Sequence, residues 1–263
     1  MPDTPWQRRA ARAELLAAQH PFAGEILGFY VHLAHFQGAL HRDLLTETRN
    51  IVPNPLPSPS EVPILVSSFG SFLSLIQRHG PIALRPIAND LNTQGSPAWS
   101  EALNSVWLTL DGPATTVQLL AKAFLQPYAE FLRSKATLQR AGYNHPLCPF
   151  CSRKPLAGVL RQQGDGAARW LLCGFCLAEW EFRRIVCPAC GEEDNRKLPV
   201  YMADQFDYVR VECCDNCRIY LKSVDLTRNG LAEPLVDEIA SAPLDLWARE
   251  HGYAKLQPNL LGM

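Results

Sequence analysis

The chain has 263 residues, of which 47% are hydrophobic and 19% are charged, and its formal net charge is −1 at pH 7. This length and apolar content are enough to bury a core and favour two domains. A net charge near zero gives no general attraction to nucleic acid or to a membrane surface. No apolar run reaches the roughly 18 residues of a membrane-spanning helix, so we expect no membrane span.

The first half of the sequence predicts helices. Thr4-Pro5 is a typical helix start, and we predict a first helix from there to about Gln19. The next helix ends near Arg49, and its apolar residues recur every three or four positions. They predict one buried stripe of Phe22, Ile26, Phe29, Leu33, Phe36, Leu40 and Leu44. After a proline-rich loop, we predict further helices over 64–77, 99–110, 114–140 (kinked or split at Pro127) and 234–250.

Eight of the nine cysteines form four Cys-x-x-Cys pairs in the second half of the sequence: Cys148/Cys151, Cys173/Cys176, Cys187/Cys190 and Cys214/Cys217. Two pairs complete the four-thiolate shell of a structural metal site, which leaves no open position for a substrate. A gap of 21 residues separates the first pair from the second, and a gap of 23 residues separates the third pair from the fourth. Each gap is long enough for a β-hairpin. We therefore predict that the first pair joins the second and the third joins the fourth. An interleaved arrangement is the alternative.

The cysteine-rich block is an internal duplication of pair, hairpin, pair and strand. Period-two patterns predict three strands in each copy, over 156–160, 168–172 and 179–186, and over 198–202, 208–212 and 219–224. The predicted fold class is α+β. It comprises an all-helical domain (1–143), two tandem rubredoxin-like or zinc-ribbon units (144–186 and 187–230), and a C-terminal helix and tail (231–263).

Three segments carry a resemblance to a known family. They are Cys173-x-x-Cys-x-x-Glu-Trp-x-x-x-Arg184-x-x-Cys187-x-x-Cys190, then Glu212-x-Cys214-Asp-x-Cys217-x-x-Tyr-Leu-Lys222, and, in the second predicted helix, His20-Pro-Phe-x-x-Glu-Ile-Leu-x-Phe. These segments resemble the formate dehydrogenase accessory proteins of the FdhE type. The resemblance implies a cytoplasmic protein that holds iron in rubredoxin-like knuckles. It also implies contact with the catalytic subunit of a molybdenum- or tungsten-containing formate dehydrogenase during assembly, and a ligand role for all eight paired cysteines.

The predicted cofactors are two metal ions in four-cysteine sites. The spacing accepts zinc or iron, because four tetrahedral thiolates suit both, whereas the resemblance implies iron. Metal-filled thiolate sites need a reducing compartment, which also predicts the cytoplasm. Glu179, Trp180, Arg183 and Arg184 are candidate partner contacts, since Trp and Arg are frequent in binding hot spots. Trp180 is an equally good candidate for packing between the ribbons, and Cys213 is interpreted as a spare strand cysteine.

Three classes of function compete, and we favour a non-enzymatic assembly factor that binds an immature oxidoreductase subunit. A double zinc ribbon that binds nucleic acid is one alternative. It is disfavoured because residues 148–222 contain eleven Lys and Arg against ten Asp and Glu, without the excess of positive charge that phosphate binding needs. A rubredoxin-like electron carrier is the other alternative, and such a carrier needs no large helical domain.

Overall fold

The computed structural model describes residues 4–47, 58–109, 115–136, 142–259 and 262. The described residues up to 136 belong to one unit, here called the helical unit, and residues 142–259 belong to a second, here called the sheet unit. The domain boundaries predicted from the sequence, at 143/144, 186/187 and 230/231, stay predictions. Within the described part of the chain, no helix is both long and apolar enough to cross a membrane.

The described residues of the helical unit contain helices and no strand, as predicted for the first half of the sequence. Its first helix begins with a capping box, in which Thr4 Oγ1 accepts from the Gln7 amide at 3.3 Å and the Gln7 side chain accepts from the Thr4 amide at 2.8 Å. One helix, α4, occupies a stretch for which the sequence predicted no element. The helices are α1 (Pro5–Gln19), α2 (Gly24–Glu47), α3 (Pro63–His79), α4 (Arg85–Gln94), α5 (Ser96–Leu108) and α6 (Thr116–Lys135).

The buried face of α2 is broader than the predicted stripe. Phe22 precedes the helix and is 54% exposed, and Ile26 and Phe36 are only half-buried. The reason is that α2 contacts α1, α3 and α6, so that one narrow stripe cannot cover all three neighbours. The predicted stripe is buried at Phe29, Leu33, Leu40 and Leu44. The additional buried residues are Leu27, Tyr30, Ala34, Gln37 and Gly38.

Helix α6 is buried on nearly every side between Leu120 and Leu132 and contains Pro127 in its interior. A proline has no N–H, so the carbonyl of Ala123, four residues earlier, loses its helical donor. The side chain of Gln37 supplies the missing bond, with Nε2 donating to that carbonyl at 2.7 Å. A buried polar residue on α2 thus compensates for the proline.

The sheet unit contains β1 (Pro155–Gln163), β2 (Gly166–Cys173), β3 (Glu179–Glu181), β4 (Val200–Tyr201), β5 (Val209–Cys213), β6 (Ile219–Asp225), α7 (Pro234–Ala240), α8 (Ala242–Glu250) and β7 (Ala254–Lys255). The strand order is β3-β2-β1-β6-β5-β4, and β7 also pairs with β6. The strands of each predicted ribbon pair antiparallel, whereas β1 and β6 pair parallel and join the ribbons in one sheet. Gly158 faces Ser223 across that junction, where a Cβ atom would lie 2.0 Å from the hydroxyl, so only glycine fits.

Three predicted elements of the sheet unit are shorter in the structure, and one of them, the strand predicted over 198–202, covers only Val200–Tyr201. The strand predicted over 179–186 ends at Glu181, because Nη1 of Arg169 binds the carbonyls of Arg183 and Val186 at 3.2 and 3.0 Å in place of a strand neighbour. The helix predicted over 234–250 breaks at Ser241, whose hydroxyl donates back to the Asp237 carbonyl at 2.8 Å. Pro243, in the first turn of α8, has no N–H for the carbonyl of Ile239, four residues earlier, so one helix ends and the next begins here.

Candidate metal centres

The eight paired cysteines form two clusters of four, within each of which all sulfur atoms lie within 4.8 Å of one another. The first contains Cys148, Cys151, Cys173 and Cys176, and the second contains Cys187, Cys190, Cys214 and Cys217. This arrangement confirms the predicted joining of the first pair with the second and of the third with the fourth. The interleaved alternative is wrong.

The sulfur spacing fits a tetrahedral metal ion. In the first cluster, the sulfurs of Cys148 and Cys176 are 3.5 Å apart and those of Cys151 and Cys173 are 3.4 Å apart. In the second cluster, two sulfur pairs lie 3.7 Å apart. An ion with four sulfurs at ~2.3 Å separates them by ~3.8 Å, whereas a disulfide holds its sulfurs at ~2.05 Å. All eight thiols are free, and four thiolates suit zinc or iron alike.

Each Cys-x-x-Cys pair and the turn that follows it are here called a knuckle. In every knuckle, the residue directly after the second cysteine has a left-handed backbone conformation. These residues are Ser152, Leu177, Gly191 and Arg218, with φ of 57°, 52°, 79° and 58°. Only glycine adopts this conformation at no cost, so the other three carry a strain of about 1 kcal/mol each. In every knuckle, the amide of the first cysteine donates to the carbonyl five residues later, at 2.9 Å. The four knuckles therefore share one turn, of which only Gly191 gave a sequence signal.

Backbone amides point at the first sulfur of three knuckles. Phe150, Phe175 and Ala189 each donate to the sulfur two residues earlier, at 3.4 Å. Such donors stabilise a thiolate and tune the metal that it holds. At Cys190, burial raises the pKa, but donation from the Glu192 amide and neighbouring groups outweighs it and lowers the pKa to about 7.

The two clusters differ in exposure. In the first, Cys148, Cys173 and Cys176 are buried and Cys151 is half-buried. In the second, Cys190 is exposed and Cys217 is half-buried. Solvent and small reagents therefore reach the second cluster more readily.

Side chains around the knuckles hold them in place. Near the first cluster, the Arg153 guanidinium lies 4.4 Å from the centre of the Phe175 ring and so connects two knuckles. At the fourth knuckle, the Arg218 guanidinium lies 3.9 Å from the centre of the Tyr253 ring and donates to the His251 carbonyl at 2.5 Å. The Tyr253 hydroxyl donates to Asp215 at 2.5 Å. The segment after α8 thus clamps the second cluster.

A buried group of four charges, here called the charge box, fixes α7 and α8 to strand β6. Lys222 Nζ lies 2.6 Å from Asp245 Oδ2 and 3.1 Å from Glu238 Oε1, and all three side chains are at most 3% exposed. Lys255 contacts the same two carboxylates, and Asn259 donates to Glu238 Oε2 at 2.9 Å. Burial raises the pKa of Glu238, but the two lysines outweigh it and lower the pKa to about 2. Lys222 lies in one of the three family-like segments, but nothing in the sequence indicated this role.

The four candidate partner contacts lie in different environments. Trp180 is 1% exposed and its Nε1 donates to the His145 carbonyl at 2.9 Å, so it packs inside the sheet unit and is not a surface contact. Glu179 forms a bidentate ion pair with Arg161, with N···O distances of 2.9 and 3.0 Å. Arg183 and Arg184 are exposed, and Arg183 pairs with a carboxylate of Glu193 at 2.6 Å.

Cys213 belongs to neither cluster. Its side chain lies in the core of the sheet unit, where burial raises the pKa of the thiol to about 12. A thiol with this pKa stays protonated at neutral pH and is a poor nucleophile.

Comparisons with known proteins point to one family. Residues 147–184 match the central domain of FdhE and residues 185–261 match its C-terminal domain. A protein FdhE homolog of Aquifex aeolicus is 25% identical over 95% of this chain and 93% of its own length. One from Proteus mirabilis is 26% identical over 97% and 87%. One from Pseudomonas aeruginosa is 34% identical, over 62% of this chain and 55% of its own length.

The fold also matches a solved structure. The crystal structure of the FdhE protein from Pseudomonas aeruginosa superposes with a TM-score of 0.70, at 24% identity, over 99% of this chain and 97% of that one. At this level of identity the match establishes the fold, and it confirms the predicted α+β architecture.

Proposed function

We propose that this chain, which belongs to the FdhE family through its central and C-terminal domains, is an accessory factor for formate dehydrogenase. One observation carries the proposal: each matched domain contains one complete cluster. The match to the central domain contains the first cluster, Cys148–Cys176. The match to the C-terminal domain contains the second cluster, Cys187–Cys217, and the charge box. The two matched ranges therefore include both cysteine clusters and the charge box.

The role that we propose is binding rather than catalysis. A shell closed by four thiolates offers no position at which a substrate oxygen or a water can be activated. The eight cysteines would instead hold two ions, and each ion would fix a pair of loops and the side chains beside them. Iron, if bound, would add a one-electron change at each site. We propose a reducing, cytoplasmic setting because all nine cysteines are free thiols.

The proposed partner is the catalytic subunit of a molybdenum- or tungsten-containing formate dehydrogenase during its assembly. The surface offered by the predicted contact segment consists of Arg183, Arg184 and the partly exposed Glu179, since Trp180 is buried. Arginine at such a position can bind a carboxylate through two hydrogen bonds, which suits selective protein recognition.

Deletion of the gene tests the proposal. We expect formate dehydrogenase activity to fall while its transcript is unchanged, because the defect lies in assembly. The wild-type chain and Cys213→Ser should restore activity, whereas Cys187→Ser, which removes a cluster ligand, should not. Normal activity in the deletion strain, without a redundant homologue, would contradict the accessory role.

A further inference from the structure

A surface cavity of about 350 Å³ lies beside the second cluster, within the sheet unit. Its apolar wall includes Leu198, Ile185 and Val200, and the last two are 54% and 53% exposed. Val200 belongs to β4, which ends the described sheet, so the cavity opens beside an edge of the sheet. Exposed apolar side chains grouped around a cavity mark an interaction site.

The polar lining of this cavity is rich in arginine. Arg169, Arg184 and Arg210 line it together with a single carboxylate, that of Glu212. That carboxylate is already bound, since it pairs with Arg169 at 2.7 Å. In the described part of the chain, the buried Nε atoms of Arg169 and Arg210 have no acceptor. Arg210 is paired as well, with Asp225 at 2.6 Å, so the guanidinium groups of Arg169 and Arg210 are both held in place beside the apolar wall.

Arg184 is the accessible cation at this site. It is exposed, its Nη1 donates to the Ala167 carbonyl at 3.3 Å, and among the described residues it forms no ion pair. Cys187 and Cys214 line the cavity too, and a cluster of four thiolates with a divalent ion is anionic. A negatively charged ligand group is therefore accommodated at Arg184 and not against the knuckles.

We propose that the cavity binds an extended polypeptide segment that inserts an apolar side chain against Ile185 and Val200 and places a neighbouring carboxylate on Arg184. The inference rests on the proposed function and identifies where the catalytic subunit binds the sheet unit. A polypeptide fits better than a small anion because an apolar wall stands beside the cation Arg184 and the cavity borders β4, where the described sheet ends. An extended segment can follow that edge while one of its side chains enters the cavity.

The test measures binding of metal-loaded chain to the purified catalytic subunit and to overlapping short peptides from its sequence. Arg184→Glu and Ile185→Asp change the site at two exposed positions. Arg196→Glu and Leu246→Asp are the matched controls, because both residues are exposed in the same unit and neither lines the cavity. Elemental analysis of each variant confirms that it is folded with both ions bound.

We expect both site variants to weaken binding about tenfold or more, because Arg184→Glu removes a charge-assisted contact and Ile185→Asp places a charge in the apolar wall. Both controls should change binding by less than about twofold. Bound peptides should contain an apolar residue next to Asp or Glu and lose affinity when that residue becomes Asn or Gln. If the subunit binds wild type and both site variants equally, the cavity assignment is wrong while the accessory role stands. If neither subunit nor peptides bind wild type, both proposals fail. Displacement of peptides by citrate or phosphate alone would identify a small-anion site and overturn the inference.

Discussion

Replacing Lys222 with Met should destabilise the sheet unit strongly. The ammonium group is fully buried and contacts Asp245 at 2.6 Å, Glu238 at 3.1 Å and the Ser241 hydroxyl at 3.1 Å. Met has similar length but no charge, so Lys255 would be left to neutralise two buried carboxylates. Breaking a buried ion pair by removing one partner costs about 3–5 kcal/mol. For a unit of this size, that loss lowers the melting temperature by roughly 10–20 °C.

Thermal unfolding of the metal-loaded chain, followed by circular dichroism, measures the effect. Arg196→Met is the control, because its pair with Asp194 is exposed and exposed ion pairs contribute little to stability. The double variant Lys222→Met/Asp245→Leu restores the charge balance of the box, and it should lose less stability than the sum of its two single variants. Equal melting temperatures for Lys222→Met and Arg196→Met would refute the role of the charge box.

Three further predictions follow from the clusters and the helical unit. A chelator should remove metal from the second cluster, which contains the exposed Cys190, before it removes metal from the first, which contains the buried Cys173. Native mass spectrometry with thiol labelling would show this order. Simultaneous release would count against the difference in exposure. Cys187→Ser should lose one ion and much of the roughly 10 kcal/mol that a structural site contributes to folding, whereas Cys213→Ser should keep both ions; equal metal loss would mean that the ligands are misassigned. Burial, with nearby arginines, lowers the pKa of His41 to about 4, so the helical unit loses stability as pH falls from about 6.5 toward 4; an NMR titration giving an ordinary histidine pKa would contradict this.

The cysteine clusters could be predicted because the spacing of the cysteines in the sequence limits how they can be grouped. Four pairs at one spacing and two hairpin-length gaps leave few ways to build tetrahedral shells, and the duplication favoured the pairing that the structure has. The turn inside each knuckle was less predictable. Gly191 signals a left-handed residue, but Ser152, Leu177 and Arg218 adopt the same conformation only because the knuckle imposes it. Local preference is overruled there by the geometry of the cluster.

Features that depend on distant residues could not be predicted. Nothing near Lys222 in the sequence indicates that Glu238, Asp245 and Lys255 will surround it, because the contacts form only when α7 and α8 fold onto β6. The tolerance of Pro127 inside α6 likewise depends on Gln37, which lies 86 residues from Ala123, whose carbonyl it binds. Periodicity finds elements, whereas side-chain partners between elements require the fold.

The central claim is that the eight cysteines hold two ions, each in a shell of four sulfurs, and that these ions organise the sheet unit. Elemental analysis combined with X-ray absorption of the anaerobically purified chain tests it most directly. We expect two ions per chain, with four sulfur neighbours each at ~2.3 Å, and an unfolded sheet unit once both ions are removed. One ion per chain, a nitrogen or oxygen neighbour in either shell, or a sheet unit that stays folded without metal would contradict the account.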